Sequence, residues 1–124
     1  MSDQIKLINH SSVLIKSNDI KLLTDPWYSG SAFNNGWSLL YENKFESIKE
    51  ILSGLNYIYI SHEHPDHFSI KFFKDYEIII KLNNIKIIFQ KSQDQRVEKF
   101  LKKMGFQMII LEDKENHRIN NKTF

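Results

Sequence analysis

The sequence has no cysteine among its 124 residues. This absence excludes disulfide bonds, iron–sulfur clusters and zinc sites that are built from thiolates. Any metal ion bound by this chain must therefore be held by nitrogen and oxygen atoms of histidine, aspartate and glutamate.

Long apolar runs and long basic runs are missing as well. No uninterrupted apolar stretch approaches the roughly 20 residues that span a bilayer. The segment Met1 to Asn9 lacks the basic flank and the apolar core of a secretory signal, so the sequence predicts a cytoplasmic protein without a membrane partner. The 17 basic and 15 acidic residues are scattered, and no basic block is longer than Lys102-Lys103. No nucleic acid partner is therefore expected.

The chain has enough apolar residues for one hydrophobic core. Its hydrophobic fraction is 41% and its aromatic fraction is 13%. A chain of this length and composition is typical of one globular domain. We therefore expect residues 1–124 to form a single domain or a part of one.

Apolar periodicity predicts strands and helices that alternate along the chain. Ile5 to Ser17 predicts two strands or one bent strand, and Ile20 to Thr24 predicts a further strand that completes a hairpin. The later predicted elements are a short helix whose apolar positions run from Phe45 to Leu55 and for which Gly54 could supply the C-terminal cap, a strand at Tyr57 to Ile60, the beginning of a helix at Ser69 to Tyr76, a strand at Ile85 to Phe89, a helix at Ser92 to Met104 and a strand at Phe106 to Leu111. This order predicts an α/β fold with parallel strands, whose functional residues follow the carboxyl ends of strands.

The segment His62 to His67 holds three imidazoles and two carboxylates directly after the predicted strand that ends at Ile60. In an extended segment residues two apart point the same way, so His62 and His64 can face one metal ion. A proline then turns the chain, and Asp66 and His67 face a second position. Two neighbouring ions can share a bridging water, lower its pKa and hold the oxygens of a substrate during hydrolysis.

The segment Ser61 to His67, Ser-His-Glu-His-Pro-Asp-His, resembles the His-x-His-x-Asp-His motif of the metallo-β-lactamase fold superfamily. The flanking segments Asn9 to Ile15 and Leu22 to Trp27 are similar to the first strands of one branch of that superfamily. This branch contains ascorbate-phosphate lactonase-like enzymes and CMP-sialic acid hydroxylase-like proteins. The resemblance covers nearly the whole chain.

The resemblance implies an αββα sandwich of two similar halves, with this chain as the first half. It implies that His62 and His64 hold one ion, and that Asp66 and His67 hold the second. The ions would be zinc, with manganese or iron as alternatives. The implied activity is that of a hydrolase whose metal-bound hydroxide, fixed by Asp66 as the catalytic residue, attacks a lactone, phosphoester or similar bond of a small polar substrate.

An alternative follows from the ligands that the chain lacks. The family's later third histidine, bridging aspartate and last histidine have no clear counterparts. His117 follows the motif, but it stands in the polar turn Glu-Asn-His-Arg, and we expect it at the surface. A catalytic zinc usually takes three protein ligands and a water, whereas this chain offers two per ion. The alternative is a truncated or split fragment without independent activity, completed by a C-terminal half or in a homodimer.

Single residues near the motif also leave alternatives open. Asp66 would serve as the N-cap of the following helix, and Glu63 is expected either to face solvent or to lie behind a metal ligand. His10 is either a hydrogen-bonded histidine at a strand end or a neighbour of the metal pocket. Asp25 is expected to be a buried carboxylate that accepts hydrogen bonds and orients a metal ligand from behind.

Four aromatic residues follow the strand that ends at Thr24, at positions Trp27, Tyr28, Phe33 and Trp37. They form either a small hydrophobic patch that closes the sheet or one wall of a substrate pocket.

Overall fold

The computed structural model describes residues 3–32, 37–61, 67–90 and 95–111, together with two short strands at 118–119 and 122–123. The strands are β1 (Gln4–Asn9), β2 (Ser12–Ser17), β3 (Ile20–Thr24), β4 (Ser31–Ala32), β5 (Trp37–Ser38), β6 (Tyr57–Ile60), β7 (Lys86–Gln90), β8 (Met108–Leu111), β9 (Arg118–Ile119) and β10 (Lys122–Thr123). The helices are α1 (Phe45–Leu52), α2 (Ile70–Asp75), α3 (Glu77–Leu82) and α4 (Arg96–Lys103).

A six-stranded mixed sheet in the order β1-β2-β3-β6-β7-β8 forms the centre of the fold. Strands β1, β2 and β3 are joined as an antiparallel meander. Strands β3, β6, β7 and β8 are parallel to one another, because helices connect them in crossover units. The predicted hairpin and the predicted parallel sheet are both confirmed.

The described helices cover one face of this sheet, which we call the helical face. Strand residues such as Leu23, Ile58 and Ile87 are fully buried there, against the helix residues Ile48 and Leu101. These positions alternate along their strands, as a sheet buried on one face requires. Burial of this apolar area is the main force that holds the helices on the sheet.

The opposite face of the sheet, which we call the second face, is also apolar. Its buried members include Leu22, Tyr57 and Ile88, and no described helix contributes a residue to this cluster. The edge strand β1 extends this face with Ile5 and Leu7, whose exposed fractions are 76% and 68%. A large apolar surface at the rim of a sheet is typical of a contact with further structure.

Two local predictions need correction. The helix that begins near Ser69 is followed directly by α3, which the periodicity did not predict. Ser69 is the N-cap of α2, because its side-chain oxygen accepts a hydrogen bond from the Phe72 amide at 3.2 Å. The alternative that Asp66 caps this helix is therefore wrong. The predicted end of the first helix is confirmed, since Gly54 follows the C-cap of α1 with a φ of 87°.

No helix in the described part of the chain is long and apolar enough to cross a bilayer.

Candidate metal centre

The sheet topology brings three separate chain segments to one edge of the sheet. Asp25 follows β3 and Ser61 follows β6, and these parallel strands end at the same edge. The turn between β1 and β2, which contains His10, reaches this edge because β2 runs antiparallel to β3. The carboxyl edge of a parallel sheet is where ligand sites of such folds are found.

Asp25 is held at this edge by both its backbone and its carboxylate. Its backbone has a φ of 38°, which is uncommon for a residue other than glycine, and its amide donates to the Tyr59 carbonyl at 2.8 Å. Its buried carboxylate accepts two hydrogen bonds from Ser61, from the amide at 2.6 Å and from the hydroxyl at 2.8 Å. Asp25 therefore ties the end of β3 to the residue that precedes the motif.

The same carboxylate contacts the last histidine of the motif. His67 Nδ1 lies 2.9 Å from Asp25 Oδ2, and the side chains are 19% and 7% exposed. Because the carboxylate can only accept, the Nδ1 atom carries the proton of this bond and Nε2 is left with its lone pair in the neutral ring. A carboxylate behind an imidazole is the usual partner of a metal-binding histidine. The expectation that Asp25 is buried and accepts hydrogen bonds is confirmed, whereas His67 as a ligand stays a prediction.

The other predicted ligands, His62, His64 and Asp66, lie outside the described residues, as do Glu63 and His117. Within the described ranges no group of three or more histidine, aspartate or glutamate side chains could hold a metal ion. The structure thus describes one of the four predicted ligands together with the groups that orient it. The donor chemistry around His67 fits a metal site.

His10 lies beside this centre. Its ring centroid is 6.2 Å from that of His67 and 5.1 Å from that of Trp27, edge-on in both cases. Its φ of 46° turns the chain between β1 and β2 and places the exposed side chain at the sheet edge. His10 thus lies beside His67, just after the end of β1, and both alternatives for its role stay predictions.

Two of the four predicted aromatic residues belong to the core. Trp27 is 2% exposed, and its indole nitrogen donates to the Gly30 carbonyl at 3.2 Å. Tyr28 is equally buried, and its hydroxyl lies 2.6 Å from Ser12 Oγ. Burial raises the pKa of Tyr28 far above its ordinary value of 10.0. Phe33 and the side chain of Trp37 lie outside the described residues.

Sequence reasoning missed two features of this edge. Ser61 connects Asp25 and His67, with its Oγ atom 3.3 Å from His67 Nδ1. The only signal for it was a small polar residue between an apolar strand and the motif. The loop 39–43 is also tied to the end of β1, because Asn9 donates to the Tyr41 carbonyl at 3.0 Å and to Asn43 Oδ1 at 2.7 Å. These bonds join positions more than 30 residues apart, which periodicity cannot predict.

Residues 4–124 match the family model described as a beta-lactamase superfamily domain. The chain belongs to this superfamily. The predicted membership of this superfamily is thereby confirmed.

Curated relatives match about half of the chain. Cytidine monophosphate-N-acetylneuraminic acid hydroxylase of Asterias rubens is 41% identical over 64 residues, which cover 52% of this chain and 10% of that protein. The enzyme of Mus musculus is 38% identical over 66 residues, which cover 53% of this chain and 11% of that protein. The inactive human protein of the same name is 38% identical over 66 residues, covering 53% of this chain and 13% of its own length. The match thus spans about a tenth of these relatives.

Two solved structures share the fold over nearly the whole chain. CmlA, a diiron beta-hydroxylase from Streptomyces venezuelae, superposes with a TM-score of 0.67 at 18% identity, covering 95% of this chain and 22% of CmlA. A possible metal-dependent hydrolase from Veillonella parvula superposes with a TM-score of 0.63 at 16% identity, covering 95% of this chain and 44% of that protein. The predicted metallo-β-lactamase-like α/β fold is confirmed, and this chain spans less than half of either protein.

Proposed function

We propose that this chain carries the metal centre of a metal-dependent hydrolase, with His62, His64, Asp66 and His67 as the protein ligands. The observation that supports the proposal is the hydrogen bond between Asp25 and His67. A buried carboxylate that bonds a half-buried imidazole fixes the orientation of that ring, as it does for histidines that bind metal ions. Membership of the superfamily supports the remaining ligands, which stand in the same motif.

Bound ions would activate a water molecule for attack on a lactone, phosphoester or similar bond of a small polar substrate. Zinc suits the set of imidazoles and carboxylates, and iron or manganese suits it as well. A diiron enzyme is among the structural neighbours, which makes iron the first alternative to zinc. Because the chain has no thiolates, ligand geometry and metal supply decide which of these ions is bound.

The described residues have defined tasks in this proposal. Asp25 holds the Nδ1 proton of His67, so that Nε2 points away from the carboxylate as a donor for the ion. Ser61 fixes both oxygens of Asp25 and thereby the direction of the segment that follows β6. His10, whose ring packs edge-on against the buried Trp27, would form one side of the site. Asp66, which lies outside the described residues, would hold the attacking water.

Hydrolysis assays with a panel of lactones and phosphodiesters test the proposal. The purified chain would be reconstituted separately with Zn²⁺, Mn²⁺ and Fe²⁺, and the Asp66→Asn variant should lose activity on the order of 10²-fold. Asp75→Asn is the matched control, because Asp75 lies in an exposed ion pair with Lys71 on α2. Equal activity of Asp66→Asn and the unchanged chain would contradict the proposal.

A second candidate is that the chain has no activity alone and is completed by a C-terminal half or by a second copy of itself. The exposed Ile5 and Leu7 at the rim of the second face favour this candidate. The number of proposed protein ligands also favours it, because this chain has two per ion and a catalytic zinc usually has three. We propose residues 1–124 as one partial domain in this case.

Sedimentation velocity tests the homodimer form of this candidate. The variant Ile5→Thr with Leu7→Thr should associate at least tenfold more weakly than the unchanged chain, because its apolar contact surface is smaller. The control Ile78→Thr with Leu82→Thr changes two similarly exposed residues on α3 and should leave association unchanged. A monomer at all concentrations would leave only the C-terminal half as the completing partner.

A further inference from the structure

A cleft with a volume of about 230 Å³ lies on the helical face of the sheet, between strands β1 to β3 and helix α1. Lys6, Lys16 and Lys21 line it together with Glu50 and Ser53. We call it the lysine cleft. No family match or motif described above assigns a function to it.

The lysine cleft is separate from the candidate metal centre. Lys21 is the second residue of β3, whereas Asp25 follows the last residue of that strand. Asp25 is four positions beyond Lys21, which corresponds to roughly 13 Å in an extended chain. Lys16 lies in the half of β2 that is farther from the turn at His10, so the cleft opens towards the opposite edge of the sheet.

The three lysines are placed unfavourably for a protein without a ligand. Lys16 and Lys21 are direct partners across the antiparallel pair of β2 and β3. Lys6 pairs with Leu14, which puts it diagonally next to Lys16 on the same face. Like charges at opposed positions of a sheet destabilise it. An anion between the ammonium groups would offset this repulsion.

The lysine cleft has fewer carboxylates than lysines, so the positive charge of the lysines is only partly neutralised. No ion pair between described residues involves any of the three ammonium groups. Glu50 is the one carboxylate among the residues that line the cleft, which leaves a surplus of two positive charges. Lys21 has a partial explanation, because its ammonium group lies near Gly54 at the C-terminal end of α1, where a cation is favourable. Lys6 and Lys16 have no such explanation.

We propose that the lysine cleft binds the phosphate group of a small anionic molecule. A doubly charged phosphate matches the surplus of two positive charges, and lysine is a common phosphate binder that acts as a point charge. The volume is below the range of about 300–1,000 Å³ that is typical for whole small-molecule ligands. The cleft therefore suits one phosphate group, either as the free ion or as the end of a larger ester that extends into solvent.

Titration with inorganic phosphate, followed by backbone amide NMR at constant ionic strength with chloride as the reference, tests this proposal. Phosphate should shift the amide signals of residues 4–6, 14–16 and 21, and should leave those of Ser61 and His67 unchanged. The variant Lys6→Gln with Lys16→Gln should bind phosphate at least tenfold more weakly. Glycerol phosphate serves as a second ligand, and tighter binding of this ester than of the free ion would identify an ester as the ligand.

The matched control is Lys99→Gln with Lys103→Gln, which removes two exposed lysines from α4 and changes the net charge by the same amount. This control should bind phosphate as the unchanged chain does. Equal weakening in both double variants, or signal shifts centred on Ser61 and His67, would overturn the proposal. The result does not depend on hydrolase activity.

Discussion

At the scale of single residues, Asp25 joins parts of the chain that are far apart in sequence. Its carboxylate holds Ser61 and His67, which stand 36 and 42 positions further along the chain. The residue type and its place before a proline at a strand end indicated a buried carboxylate. The partners could not be predicted in detail, because they depend on the positive φ of Asp25 and on the pairing of β3 with β6.

Asp25→Asn tests the role of this carboxylate in metal binding. The oxygen that accepts from the Ser61 amide must stay an oxygen, so the new NH₂ group faces His67 Nδ1. The ring would then carry its proton on Nε2, which removes the lone pair that is proposed to bind the ion. We expect metal affinity, measured by titration calorimetry, to fall roughly 10–100-fold.

The control for this variant is Asp75→Asn, where the carboxylate belongs to an exposed pair with Lys71. It should bind metal as the unchanged chain does. An unchanged metal affinity in Asp25→Asn, together with an intact fold by circular dichroism, would refute the role of Asp25 as a positioning residue.

Tyr28 gives a prediction for alkaline pH. Burial raises its pKa in the folded state, so the folded chain keeps a proton that the unfolded chain loses above pH 10. The free energy of unfolding should therefore fall by about 1.4 kcal/mol per pH unit from this group as the pH rises above 10. Below pH 10 this contribution should not vary with pH.

Urea unfolding at pH 7 and at pH 10 to 11 measures this effect. As the pH rises above 10, the free energy of unfolding of Tyr28→Phe should fall less than that of the unchanged chain, by the amount given above. Tyr57 and Tyr76, whose pKa values are also raised by burial, contribute equally in both proteins. At pH 7 the variant should lose about 1–3 kcal/mol, because Ser12 is left buried without its partner. Equal pH dependence of the two proteins would contradict the account.

At the scale of elements, the periodicity of apolar residues predicted most of the sheet. Strands β3 and β6 were predicted at their observed positions because short apolar runs next to turn residues are strong local signals. Helix α3 was not predicted, since its segment Glu-Ile-Ile-Ile-Lys-Leu has β-branched residues that favour no helix locally. Its helical form depends on the packing of Ile80 in the core.

The cap of α2 is the clearest local signal that can be tested. Ser69→Ala removes the hydrogen bond to the Phe72 amide and should lower the free energy of unfolding by about 1 kcal/mol. Ser47→Ala, at an exposed position within α1, should change it by less than about 0.5 kcal/mol. Urea unfolding of both variants decides the matter, and a loss as small in Ser69→Ala as in the control would exclude Ser69 as a stabilising cap.

At the scale of the whole molecule, the two ends of the six-stranded sheet carry two different candidate sites. One end carries the candidate metal centre around Asp25 and His67, and the other carries the lysine cleft. The motif predicted the first end because its ligands are contiguous in sequence. A search of the sequence for basic runs could not predict the lysine cleft, because Lys6, Lys16 and Lys21 come together only after the β1-β2-β3 meander has formed.

The apolar character of the second face also concerns the whole molecule. The alternating apolar residues of β1 and β2, which include Ile5, Leu7 and Ile15, lie on the second face, whereas the helices cover the opposite face. This alternation did not predict that both faces of the sheet are apolar, nor that Ile5 and Leu7 are exposed at the rim of the second face. Both faces are apolar in folds where two sheets pack on each other, as the sandwich of this superfamily requires.

The metal content of the purified chain tests the central claim most directly. After reconstitution and removal of free ions, elemental analysis should find at least one equivalent of zinc, iron or manganese per chain. His64→Ala and His67→Ala should each lower this content, while His117→Ala, the histidine expected at the surface, should not. A content well below one equivalent that is the same in the unchanged chain and in His64→Ala would contradict a metal centre in this chain.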